Sequence, residues 1–120
     1  VKIIALVEDN ADNRLLVSAI LEDAYHIVEY EDGTAALRGI PETSIDLVLL
    51  DISLPELDGV EVMRRLAADE RTKRIPVIAL TAHAGPGDQK RFMDAGFSGY
   101  VTKPITDENV LLVAIARLLG

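Results

Sequence analysis

The run Asp46-Leu47-Val48-Leu49-Leu50-Asp51 constrains this chain more than any other stretch: it is a short apolar segment that stops abruptly at a carboxylate. An apolar run of this length, bounded by polar residues, suits a strand buried on both faces of a parallel sheet. Open α/β folds place their ligands outside the carboxyl ends of such strands, so an Asp there faces a site. The pattern recurs along the chain. Ile3-Ile4-Ala5-Leu6-Val7 runs into Glu8-Asp9, Val77-Ile78-Ala79-Leu80 into Thr81, and Gly99-Tyr100-Val101-Thr102 into Lys103-Pro104. Three carboxylates, a hydroxyl and an ammonium at strand exits imply a site for a cation and a phosphoryl group.

Between these runs the pattern changes to helical spacing. Strands are predicted near Lys2–Val7, His26–Tyr30, Ile45–Leu50, Pro76–Leu80 and Gly99–Thr102. Helices are predicted near Asp12–Ala24, Gly33–Gly39, Leu57–Ala68, Asp88–Ala95 and Asp107–Leu119. Such alternation argues for a parallel α/β sheet, and right-handed crossovers then put helices on both faces. The first helix offers an apolar face at Leu15, Leu16, Ala19 and Ile20, and the last offers Leu111, Ala114, Ile115 and Leu118. Ala84-Gly85-Pro86-Gly87 reads as a loop, because two glycines disfavour helix.

Composition narrows the function classes. At 120 residues the chain is one domain, 1–120, with enough length for a real core. Its 12 Lys+Arg against 20 Asp+Glu leave a net charge of −8, which argues against a nucleic-acid surface. With no Cys there is neither a disulfide framework nor thiolate chemistry. No apolar run reaches membrane-spanning length and no signal peptide precedes the first strand, so a cytoplasmic protein is the expectation.

Paired acids after a strand are usually solvated turn residues or helix caps. Glu8 and Asp9 gain weight because Asp51 ends the strand expected beside theirs. Converging carboxylates without basic neighbours repel one another, and a hard divalent cation with oxygen ligands, Mg²⁺, resolves the repulsion. Thr81 or Lys103 alone would mean little. A Lys-Pro pair at a strand exit is a constrained turn, however, and an X-Pro bond adopts cis at modest cost. The set Asp-Asp-Thr-Lys at successive strand ends is far more specific than any member of it.

The motifs Val7-Glu8-Asp9-Asn10, Leu50-Asp51-Ile52-Ser53-Leu54-Pro55-Glu56-Leu57-Asp58-Gly59, Ala79-Leu80-Thr81-Ala82 and Tyr100-Val101-Thr102-Lys103-Pro104 occur in one order and spacing. In these the chain resembles the receiver domain of two-component response regulators, over essentially its whole length. The pattern is most similar to single-domain, chemotaxis-regulator-like proteins and to hybrid-kinase receivers. The resemblance implies a flavodoxin-like doubly wound (βα)5 fold with a five-stranded parallel sheet in the order 2-1-3-4-5. It implies that Asp51 accepts a phosphoryl group from a phosphohistidine, as a carboxylate nucleophile. Asp9 and Asp51 are then direct Mg²⁺ ligands, Glu8 acts largely through water, and the Ser53 backbone carbonyl completes the protein ligands. Lys103 and Thr81 contact the phosphoryl group, while Ala82 keeps the approach open. Tyr100 is the switch aromatic, where the bland reading is a half-buried strand residue. The implied partners are a histidine kinase or a histidine phosphotransfer protein. The face built from the fourth helix, fifth strand and fifth helix docks a homodimer mate or a partner helix, with no direct nucleic-acid or membrane contact.

Glu8 replaces the commoner Asp of the family, which preserves water-mediated metal binding. Ser53 and His83 stand at variable positions near the acceptor, and neither His83 nor His26 has transition-metal spacing. The rival reading is a small Mg²⁺-dependent phosphohydrolase of haloacid-dehalogenase type. It wants a second Asp two residues after the nucleophile, where this chain has Ser53. A flavin-binding flavodoxin needs a Ser/Thr/Gly-rich phosphate loop after the first strand, and here that loop is acidic.

Overall fold

The computed structural model describes residues 1–83 and 85–120. Five strands, β1 (Ile3–Val7), β2 (His26–Tyr30), β3 (Leu47–Asp51), β4 (Val77–Thr81) and β5 (Gly99–Thr102), alternate with five helices. The helices are α1 (Ala11–Leu21), α2 (Gly33–Gly39), α3 (Gly59–Ala68), α4 (Pro86–Ala95) and α5 (Glu108–Leu119), and a 3-10 turn at Ile40–Glu42 follows α2. All strand pairs are parallel, in the order β2-β1-β3-β4-β5. The fold class expected from the sequence is the one observed.

The period of two in each strand divides the core into two layers. Ala5, Val7, Val48, Leu50, Val77 and Ala79 face one side, where Ala36, Val62, Met63, Leu66 and Phe92 of α2, α3 and α4 cover them. Ile4, Leu6, Leu47, Leu49, Ile78 and Leu80 face the other, under Val17 and Leu21 of α1 and Leu111 and Ile115 of α5. Every residue of β3 and β4 is buried. Continuous apolar runs, rather than alternating ones, result from burial on both faces.

Element ends differ from the sequence expectations where a cap or turn decides them. α1 stops at Leu21, not Ala24, where the Ala24 N–H bonds the Leu21 carbonyl three residues back, at 3.0 Å, and the chain leaves the α-helical ladder before β2. α3 begins at Gly59, not Leu57, because the Asp58 side chain caps it by accepting from the Glu61 N–H at 2.9 Å. α4 begins at Pro86, two residues before the expected Asp88. Proline needs no N–H in a first turn, and the Asp88 carboxylate takes the Gly85 N–H at 3.3 Å. Of the expected loop, Ala84 lies outside the described residues. β3 and β4 each extend one residue further than expected, so Asp51 and Thr81 belong to the sheet itself.

Two helix faces also differ. Of the expected α1 face, Ile20 packs on the core, whereas Leu15 and Leu16 are 71% and 45% exposed and Ala19 is exposed too; Val17 and Leu21 carry the helix with Ile20. On α5, Leu118 is exposed, whereas Leu112 and Leu119 pack at the edge of the core. Both helices are apolar on more than one side, so periodicity alone left their rotation open.

Gly59 joins fold to site. A Cβ there would lie 2.3 Å from the Asp51 carbonyl oxygen and 2.7 Å from Ile52 Cα. The Gly59 N–H donates to the Ile52 carbonyl at 3.0 Å, so the start of α3 packs directly on the backbone that leaves β3. Gly59→Ala is expected to lower stability by about 1–3 kcal/mol, as overpacking does, despite alanine's better helix propensity. Asp58→Ala should lose about 1 kcal/mol with the cap. Urea denaturation midpoints compare the two, and a Gly59→Ala variant as stable as the parent would refute the close packing.

Candidate functional site

Parallel register assembles the site. Val7 pairs with Leu50, so Glu8 and Asp51, each one residue further on, meet at the carboxyl edge. Asp51 pairs with Leu80 and Thr81 with Thr102, which brings Thr81 and Lys103 to the same edge. Carboxylate oxygens of Glu8, Asp9 and Asp51 all lie within 4.8 Å of one another. Glu8 and Asp51 are buried at 1% and 2% exposure, while Asp9 is open to solvent. The Lys103–Pro104 peptide is cis, and Lys103 Nζ stands 3.1 Å from Asp51 Oδ1 and 3.4 Å from Glu8 Oε1. The Ser53 N–H donates to Asp51 Oδ1 at 3.0 Å.

Burial pushes the Glu8 carboxyl up to about 7, helped by the hydrogen bond and charge of Asp51 and opposed by Lys103 and Asn13. Burial also acts against ionised Asp51. Hydrogen bonds from Glu8, from the Ser53 N–H and from Lys103 outweigh it and hold Asp51 below the usual carboxylate range. Lys103 is raised: its burial is outweighed by bonds and charge from Asp51 and Glu8. Two neighbouring carboxylates thus share a proton that sits on Glu8, leaving Asp51 as the anion.

Thr81 is buried at the end of β4, but its hydroxyl is not turned to Asp51. It donates to the His83 carbonyl at 2.9 Å and accepts the His83 N–H at 3.0 Å. Tyr100 is half-buried, its ring centroid 6.4 Å from that of Phe92. Ala82 and His83, just past the end of β4, are exposed. The sequence reading missed Arg14, whose Nη1 donates to the Glu8 carbonyl at 2.7 Å. No motif flags it, because that contact exists only once α1 folds back over β1. Asp46, at the other end of the opening run, is structural: it accepts the Ile3 N–H at 2.7 Å.

Three hard oxygen donors, one of them open to water, fit a small divalent cation that keeps part of its hydration shell. Fold and site together define a doubly wound domain with an acidic cation cleft and a lysine on its central aspartate.

A sequence model described as the response regulator receiver domain matches residues 4–116. The chain belongs to this family, and it is a receiver domain of two-component signalling, a phosphoacceptor regulatory domain. Its family implies a cognate histidine kinase. The polar-differentiation response regulator DivK of Brucella ovis is 41% identical over 106 residues, covering 88% of this chain and 86% of that protein. The sensor protein GacS of Pseudomonas syringae is 35% identical over 113 residues, and there the match covers 91% of this chain but 12% of the relative. Among solved structures, the receiver domain of sensor histidine kinase PA1611 from Pseudomonas aeruginosa is 36% identical with a TM-score of 0.90, covering 99% of this chain and 98% of that one. That structure carries a magnesium ion coordinated in its active-site cleft.

Glu8 sets a pH signature for the metal-free protein. Its proton is held more tightly folded than unfolded, so folding takes up a proton between pH 4.5 and about 7. The stability it contributes is full below 4.5 and is lost as pH rises through about 7. In chelator, Glu8→Gln is therefore expected to melt several degrees above the parent at pH values over 7, the gap closing as pH falls toward 4.5. A gap independent of pH would show that folding does not raise the Glu8 carboxyl.

Proposed function

We propose that residues 1–120 form one receiver domain in which Asp51 accepts a phosphoryl group from a phosphohistidine. The observation that carries this reading is the Asp51 carboxylate, 2% exposed yet held ionised, with Lys103 Nζ 3.1 Å away. A buried anion stripped of water and aimed by the Ser53 N–H is a competent nucleophile. Asp51 attacks phosphorus, the phosphorus–nitrogen bond breaks, and the imidazole nitrogen leaves with the electron pair. Mg²⁺ would be held by Asp9 and Asp51, by Glu8 through water, and by the Ser53 backbone carbonyl. When bound, the ion neutralises charge that develops on the phosphoryl oxygens. The Lys103 ammonium, 3.1 Å from Asp51 Oδ1, would add a second positive charge there. Asn13 and Lys103 help to accommodate Glu8 beside Asp51.

The Thr81 hydroxyl, now bonded to the backbone of His83, turns to the phosphoryl group once one is present. Its departure frees space, Tyr100 moves inward, and the α4–β5–α5 face changes. That face exposes Met93, Val110, Val113 and Leu118 around Tyr100, which suits a partner helix or a second copy. Beside the acceptor, a groove of about 220 Å³ is lined by Leu16, Val17, Pro104 and Ile105 together with Glu8 and Lys103. This apolar wall next to charged groups suits the helices of a histidine kinase or phosphotransfer protein. The receiver family supports a cytoplasmic site of action, and among the described residues no helix is long and apolar enough to cross a membrane. The phosphohydrolase alternative has no second acid, since Ser53 holds the position it would need.

Incubation with a small acyl-phosphate donor and Mg²⁺ is expected to raise the intact mass by one phosphoryl group. Asp51→Asn or excess chelator should abolish the gain, and labelling of that variant at the parent's rate would sink the assignment. Val113→Glu should leave labelling unchanged within about twofold and weaken self-association or partner binding, as loss of a half-exposed apolar contact does. Sedimentation with and without a phosphoryl mimic reads the self-association. A monomer at high micromolar concentration in both states would exclude the homodimer.

A further inference from the structure

Arg14 lies outside the acidic cluster yet grips the segment that carries two of its members. Its side chain is 17% exposed and reaches from α1 back to the end of β1. Nη1 donates to the Glu8 carbonyl at 2.7 Å, while Nε stands 3.5 Å from Glu29 Oε1 on β2. The Glu8 peptide is held on its other side as well, because its N–H donates to the Tyr30 carbonyl at 3.1 Å. The Glu8 side chain in turn accepts the Asp9 N–H at 3.1 Å. The guanidinium thus ties β1, β2 and α1 together around Glu8 and Asp9. A planar fork with five donors can serve two acceptors at once, which neither an ammonium nor an amide at this position would match.

Charge alone argues for the opposite effect. A fixed cation near a cation site repels the incoming ion. On that ground, loss of Arg14 would tighten Mg²⁺ binding. We infer that Arg14 is instead a positioning residue, holding the Glu8–Asp9 segment in metal-binding geometry, so that its loss weakens Mg²⁺ binding. Groups behind metal ligands orient them, and removing one typically costs about 10–100-fold in affinity. The sign of the change therefore separates positioning from simple electrostatics. This inference rests on the receiver reading.

The test compares the parent with Arg14→Gln by calorimetric titration of Mg²⁺ into the unphosphorylated protein. Amide hydrogen exchange at Asp9 and Asn10 is measured in chelator, and the labelling rate is followed against Mg²⁺ concentration. The expected results are an Mg²⁺ dissociation constant raised about tenfold, faster exchange at Asp9, and a labelling plateau kept within about twofold at saturating Mg²⁺. An unchanged or lowered dissociation constant in folded Arg14→Gln overturns the proposal. If that variant melts below the assay temperature, Arg14→Lys replaces it. There the charge is preserved, and faster exchange at Asp9 with a dissociation constant raised threefold or more supports positioning, while parent values of both overturn it. A parent protein that binds Mg²⁺ but is never labelled defeats the receiver reading and leaves the Arg14 result standing. A parent that binds no Mg²⁺ defeats both.

Discussion

Glu8, Asp51 and Lys103 form one nearly dry charge cluster on which the rest of the structure turns. Two carboxylates at 1% and 2% exposure cannot both ionise cheaply side by side, and the ammonium of Lys103 touches both. The outcome is asymmetric. Glu8 is pushed up to about 7 and Asp51 is held down, so the proton and the negative charge fall to different carboxylates. The same crowding makes the cleft receptive to a divalent ion, since a cation relieves a repulsion that folding has built in.

Such a cluster survives only because the sheet leaves it no alternative position. β3 and β4 are buried throughout, and their parallel register sets where each strand ends relative to its neighbours. A slip of one residue would turn every core side chain to the wrong layer, at a cost far above that of one crowded acid pair. The two-layer core thus holds the strained edge in place. The close contact of Gly59 with the Asp51 and Ile52 backbone adds a local clamp on the Asp51 side, and Arg14 adds one on the Glu8 side.

On this view the domain divides into rigid and responsive parts. The acidic edge is held by strand register. The Thr81 hydroxyl, by contrast, is bonded among the described residues to the backbone of His83 two residues on. A local bond of this kind is readily exchanged for a stronger one to an anionic acceptor. The proposed switch draws on this difference, with Tyr100 half-buried against Phe92 and the exposed residues of α4 and α5 around it.

The fold and most of the site were legible in the chain itself. Apolar runs that end in Glu8-Asp9, Asp51, Thr81 and Lys103 determine both a parallel sheet and the edge on which its chemistry lies, because burial on two faces leaves polar groups only at strand ends. Capping chemistry was written there too, in Asp58 before Gly59 and Asp107 before Glu108, yet its effect on helix starts emerged only with the hydrogen bonds made. Tertiary structure alone decided the rest. Leu15, Leu16 and Leu118 face solvent although they match helical spacing, because the rotation of α1 and α5 is set by packing on the sheet and not by the helix's own pattern. Arg14 reaches the Glu8 carbonyl and Thr81 turns to His83 for a related reason: both bonds depend on the path of the loop that follows a strand, which carries no periodic signal. Residue types and spacing specify which groups reach the edge, and only packing specifies which way each one points.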